Sequence, residues 1–244
     1  MALLWDTSVD GFAFGYDKLS FGEYKIVDEK VESKASAAVM EILYPKGSYA
    51  GGPTVTKGGC GFYSNPKGLF PKNLIIFEYK VLFPLDFDFV KGGKLPGLYG
   101  GKPGACGGKK ITEGFSCRIM WRSEGKAELY IYVPINQHPD FAHMATSREI
   151  YGTSIDAKDF VFTRGTFHTI RMELKLNTSN SFNGILKLYI DNKCYIDYNK
   201  MNYSDTASQL INGIFFNTFF GGCTKEWAST KDTYAHFKDF KLSA

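Results

Sequence analysis

The stretch "GFSCRIMWRSEGKAELYIYVP", residues 114–134, places a serine, two arginines and two tyrosines at alternate positions of two adjacent runs. Alternate residues of an extended chain share a face, so Ser116, Arg118, Met120 and Arg122 lie opposite Phe115, Cys117, Ile119 and Trp121. In the second run Leu129, Ile131 and Val133 form the apolar set, opposed by Glu128, Tyr130 and Tyr132. Both apolar sets must reach one core, which constrains the register. A three-residue connection through Ser123, Glu124 and Gly125, with Gly125 left-handed, sets Arg118 opposite Tyr130 and Ser116 opposite Tyr132. A two-residue Glu124-Gly125 turn would set Arg118 against Ile131 and is rejected. Such a face is suited to anion and proton chemistry. The guanidinium fork grips a carboxylate, and a cation beside a phenol favours the phenolate, which makes tyrosine a usable base. A surface on which Tyr and Arg merely stack carries the same signature. Ser116 reads as a hydrogen-bond partner rather than a nucleophile, because no His is placed to activate it.

The elements that must position these residues read as antiparallel strands ended by Gly, Pro, Asn or Ser. Strands are expected over 74–83, 114–122, 127–135, 168–177, 184–192, 213–220 and 234–242. In the fourth, Ile170, Met172, Leu174 and Leu176 form one face and Thr169, Arg171, Glu173 and Lys175 a solvated one. The economical arrangement is an all-β, two-sheet sandwich forming a single domain over residues 1–244. "DFVKGGKLPGLYGG", residues 88–101, has turn chemistry and reads as a glycine-rich loop carrying Lys91 and Lys94. "LDFDF", residues 85–89, puts Asp86 and Asp88 on one face of an alternating run, without the further carboxylates that calcium needs.

Composition narrows the function classes. In 244 residues, 16% are aromatic and 26 are glycine, which favours pleated sheet with tight turns. A net charge of +4 is too mild for a nucleic-acid clamp but suits a locally basic cleft for an acidic ligand. No window approaches a membrane span, and "MALLWDTSVD" lacks the features of a secretory signal. The expectation is therefore a soluble chain, cut from a longer protein or reaching its place of action without a secretory signal. Five cysteines lack CxxC spacing, so no metal site or cofactor is indicated; a Cys106–Cys117 bridge competes with two ordinary thiols. His138 and His143, in "INQHPDFAHM", read as loop surface with the option of touching a ligand, while His168 and His236 read as structural.

"KLPGLYGG", "FSCRIMWR" and "ELYIYVP" together resemble polysaccharide lyase family 14, the alginate and glucuronate lyases of chlorella viruses and marine molluscs, and most closely its chlorella-virus catalytic domain. The resemblance runs through the whole chain, including the late "FFGGCTKEWASTKDTYAHFKDFKLS", and "KLPG" also recurs in glucuronan lyases. It implies a β-jelly roll with a concave substrate cleft, and a catalytic set of Lys94, Ser116, Arg118, Tyr130 and Tyr132. Lys94, Arg118, Arg122, Glu128, Tyr99 and His138 are placed against substrate. Lys109, Lys110, Arg122 and Lys126 are either solvated charges or a basic rim gripping successive carboxylates. The implied partner is an acidic polysaccharide, glucuronan or alginate, bound by a monomer that needs neither metal nor cofactor; the implied setting is a virion, or release on host lysis, with action on an extracellular cell wall.

Overall fold

The computed structural model describes residues 1–16, 18–28, 38–51, 56–107, 113–148, 152–206 and 209–244. In chain order the strands are β1 (Leu3–Asp6), β2 (Phe21–Gly22), β3 (Lys25–Asp28), β4 (Ala38–Tyr44), β5 (Cys60–Ser64), β6 (Leu74–Leu82), β7 (Gly92–Gly101), β8 (Gly114–Arg122), β9 (Lys126–Tyr132), β10 (Ser147–Arg148), β11 (Thr153–Val161), β12 (Phe167–Lys175), β13 (Gly184–Ile190), β14 (Lys193–Met201), β15 (Ile211–Phe220) and β16 (Thr233–Ser243). Two four-residue helices, Thr7–Asp10 and Phe141–Met144, interrupt them. Among the described residues no helix is long and apolar enough to cross a membrane.

Antiparallel pairing builds two sheets. One has the order β14-β13-β12-β6-β16-β4-β3 with β1 also on β16; the other runs β10-β11-β9-β8-β7-β15-β5-β2. Their inner faces close a single core, in which Cys117, Ile119, Trp121, Leu129 and Ile131 meet Phe77, Tyr79, Val81, Ile170 and Met172. Ring contacts cross between the sheets: Phe216 lies 5.5 Å from Phe237 and 5.9 Å from Phe240. The β8–β9 register is the expected one, with Arg118 opposite Tyr130 and Ser116 opposite Tyr132. The turn is Ser123–Gly125, where Glu124 (φ 61°) joins Gly125 (φ 80°) in the left-handed region.

The glycine-rich stretch departs from expectation. Residues 92–101 are not a loop but a ten-residue strand in the middle of the second sheet, between β8 and β15. Its glycines are required by close neighbours. A Cβ on Gly97 would lie 1.9 Å from the Cys117 carbonyl oxygen, and one on Gly93 would lie 2.1 Å from the Trp121 ring. Pro96 sits at a bulge, since the pairing with β8 slips between Leu95 and Gly97. The slip sends both Leu95 and Leu98 into the core, so Lys94 and Tyr99, five apart, end on the same outer face, opposite Met120 and Ser116. The Tyr79 hydroxyl, arriving from the other sheet, donates to the Pro96 carbonyl at 3.1 Å and pins the bulge.

Two smaller expectations also change. Residues 85–89 form a turn and an irregular segment rather than an alternating strand; Asp86 is paired with Lys231, and Asp88 accepts from Thr230 Oγ1 and the Val90 N–H at 3.0 Å. All five cysteines are free thiols: Cys117 belongs to the core, whereas Cys106 is partly exposed. Gly97→Ala is expected to lower unfolding free energy by about 1–3 kcal/mol or more through overpacking. Urea denaturation checks this, and an unchanged midpoint would mean the strands are not held that close.

Candidate active site

The outer face of the second sheet gathers the predicted set from three neighbouring strands. Lys94 comes from β7, Ser116 and Arg118 from β8, and Tyr130 and Tyr132 from β9. Only Lys94 and Tyr130 are partly exposed; Ser116, Arg118 and Tyr132 form a buried floor rather than the open face that alternation alone suggests.

Arg118 is 2% exposed and makes no ion pair with any carboxylate of the described residues. Its Nη1 donates to Asn217 Oδ1 at 3.4 Å, its guanidinium lies 4.5 Å from the Phe215 ring centre, and its Nε has no partner among the described residues. Burial pulls its pKa below the usual arginine value, while nearby Cys106, Tyr132, Tyr63 and Tyr130 oppose the shift. A guanidinium stays charged under such conditions. The result is a buried cation whose donors are not all used, a costly arrangement unless an anion completes it.

Lys94 reinforces that field. Its Nζ sits 3.5 Å from the centre of the Tyr130 ring and 2.5 Å from Met120 Sδ. Desolvation first, then Arg118 and Arg122, hold its ammonium well below the usual lysine range, against a smaller pull from Glu128. The Tyr130 and Tyr132 hydroxyls are 3.4 Å apart and their rings meet edge-on at 5.4 Å. Ser116 donates to the Ala105 carbonyl at 2.5 Å, so its hydroxyl ties the segment after β7 down onto the sheet.

The other residues placed against substrate divide into three groups. Arg122 and Glu128 bind each other at 2.5 Å, and Glu128 also accepts from Ser154 Oγ at 3.0 Å. Glu128 is thus a buried anchor for Arg122, which lies 5.9 Å from the Trp227 ring. Tyr99 stands edge-on to Tyr63 at 4.7 Å, and burial raises its pKa. His138 lies beside Asp140 and stands edge-on to the Phe182 ring at 5.8 Å. His143 is exposed; His168 is buried against Asp191 and Thr163, and His236 pairs with Glu41. Lys126 is exposed beside Glu124, while Lys109 and Lys110 lie outside the described residues.

Sequence reasoning missed Asn217 and Phe215, which orient Arg118, and Ser154, which fixes Glu128. A signal for the first two exists in "GIFFNTFF": an asparagine inside an apolar strand, alternating with Phe215 and Phe219, marks a second face that is not core. Ser154 lies on β11, a strand that the periodicity reading did not identify.

The fold and the family match together define a polysaccharide lyase. The family model Polysaccharide lyase 14 matches residues 32–240, and the chain belongs to that family. The marine PL-14 alginate lyase from Aplysia kurodai superposes with a TM-score of 0.82 at 30% identity, over 100% of both chains. Alginate lyase vAL-1 from Chlorella virus gives 0.79 at 26% identity, over 99% of both chains. Exolysin of Paramecium bursaria Chlorella virus 1 is 25% identical across 222 residues, 81% of this chain and 33% of that relative, so the chain spans about a third of its length.

The desolvated Lys94 ammonium has a testable consequence for stability. Its folded-state pKa lies below the unfolded value, so between the two the unfolded chain binds the extra proton and stability rises with pH. Lys94→Met removes that penalty. Its Tm is expected to exceed wild type at neutral pH, with the gap closing as pH climbs toward the usual lysine range. A pH series of thermal melts checks this, and a gap constant with pH would contradict it.

Proposed function

We propose that the chain cleaves 4-linked uronans by β-elimination, and the observation that carries the reading is the buried Arg118, which has no carboxylate partner among the described residues. A uronate carboxylate is the anion that fits it. Neutralising that group acidifies the C5 proton, because removing the proton puts a second negative charge onto the same carboxyl system; Arg118 and Lys94 stabilise that charge. Tyr130, under the Lys94 ammonium and opposite Arg118, takes the proton. The C5–H electron pair forms the C4–C5 double bond, the C4–O4 bond breaks, and the phenol returns the proton to O4. In glucuronate and mannuronate the C5 proton and O4 share a ring face, so one tyrosine serves both steps, with Tyr132 orienting it.

The charges around the site favour elimination over hydrolysis. A glycosidase needs two carboxyl groups flanking the bond, whereas Glu128 is already held by Arg122 and Ser154, and Asp156, opposite Glu128 on β11, lies beside it and accepts from Thr146 Oγ1 at 3.2 Å. Relatives described as alginate lyases support alginate as substrate, and glucuronan remains the alternative uronan. Degradation of algal cell-wall polymer would be the corresponding role.

Incubation with pure polymannuronate, polyguluronate and glucuronan, followed by ultraviolet detection of unsaturated ends, tests the reading; binding without product would leave a carbohydrate-binding module instead. Tyr130→Phe is expected to lower turnover by about 10²- to 10⁴-fold with substrate still bound. Arg118→Lys should be nearly as damaging as Arg118→Ala, because the charge survives but the fork does not. Full activity in both Tyr130→Phe and Tyr132→Phe would remove tyrosine from the mechanism.

A second test uses pH. The kcat/KM profile should fall at a pH below the usual lysine range as Lys94 loses its proton. Lys94→Arg should move that falling limb to higher pH; a limb unmoved by the substitution would assign it elsewhere.

A further inference from the structure

Beyond the central residues, the same sheet face continues across β15 to β5 and carries aromatic groups that the core does not use. Phe219 pairs with Lys94 across β15 and β7 and is partly exposed, whereas Phe216 and Phe220 point into the core. On β5, Cys60 and Phe62 are core residues, so Gly61 faces the site side, where it pairs with Asn217, the partner of Arg118. The Phe21 ring lies on Gly61: a Cβ there would fall 2.2 Å from the ring. Phe21 and Phe219 meet edge-on at 5.8 Å, and both stand outside the core cluster. They line a groove of about 310 Å³ with Tyr49, Ser20 and the exposed Lys57.

We propose that this groove is a distal subsite that binds a uronate residue of the same polysaccharide chain, remote from the bond that is cut. The inference rests on the uronan-lyase reading above. Two partly exposed phenylalanines offer an apolar wall for the C–H face of a pyranose, and Lys57 offers a cation for its carboxylate. The groove is continuous with the central site, since Phe219 is the direct cross-strand neighbour of Lys94 and Phe21 overlies the partner of Asn217. β5 lies two strand spacings from β7, about 10 Å, more than one pyranose ring bridges. Occupancy therefore depends on chain length. Remote binding of this kind helps long substrates and leaves short ones unaffected.

The experiment compares kcat/KM for the shortest oligouronate the enzyme cuts with that for hexasaccharide and polymer, in wild type, Phe21→Ala, Phe21→Trp and Lys57→Ala. Phe21→Ala should lose about five- to tenfold on the long substrates, through KM, and less than about twofold on the short one. Phe21→Trp should restore the long-substrate value. Lys57→Ala, a change at an exposed side chain, should show the same length-selective loss and a weaker dependence on salt. It decides the matter should Phe21→Ala fail to fold. Equal losses on short and long substrates, or no loss on either, overturn the subsite while wild-type cleavage still stands. Absence of wild-type product from every uronan overturns the underlying reading instead.

Discussion

The bulge at Pro96 is the constraint on which the site depends. In an unbroken strand, residues 94 and 99 would face opposite sides of the sheet. The slip between Leu95 and Gly97 brings both outward while keeping Leu95 and Leu98 inside. Tyr79 from the opposite sheet holds the bulge through the Pro96 carbonyl, so the position of Lys94 is secured by a hydrogen bond across the core. Gly97 beside the bulge lets β7 lie against β8 without a side chain, and Arg118 and Phe215, its partners on either side, meet across it.

Charge is distributed unevenly on this face. Arg122 is neutralised by Glu128, which Ser154 steadies in turn, whereas Arg118 is left with an amide and an aromatic ring. Burying a cation that way costs stability, and the lowered proton affinity of Lys94 records the same cost. Sites that act on anions retain such arrangements because the ligand supplies the missing charge. The contrast between the two arginines separates a buried cation that no described carboxylate neutralises from one already supplied with a carboxylate.

Aromatic residues serve two roles here. Inside, rings such as Phe14, Phe62, Phe216 and Phe240 pack at 4.7–6.0 Å and fill the space between the sheets. Outside, Tyr63, Tyr99 and Phe215 continue the packing around Arg118 and keep water from its floor. High aromatic content thus reflects a sheet covered on both faces, which also explains why every residue of β8 from Gly114 to Trp121 is buried.

Alternation and turn chemistry by themselves determined the all-β class, most long strands and the Arg118–Tyr130 and Ser116–Tyr132 register, because strand periodicity and a left-handed glycine are local properties. The motif resemblance identified the family that the comparison bears out. Tertiary structure alone decided the rest. Glycine-rich residues 92–101 read as a loop because intrinsic preference disfavours glycine in strands, yet close approach of Cys117 and Trp121 requires it there. The Arg122–Glu128–Ser154 chain, the Asn217 contact and the Ser116 tether join residues distant in sequence or on strands whose pairing no local pattern specifies. Sequence spacing named the residues that share a face; only packing between strands decided which of their charges would be left without a partner.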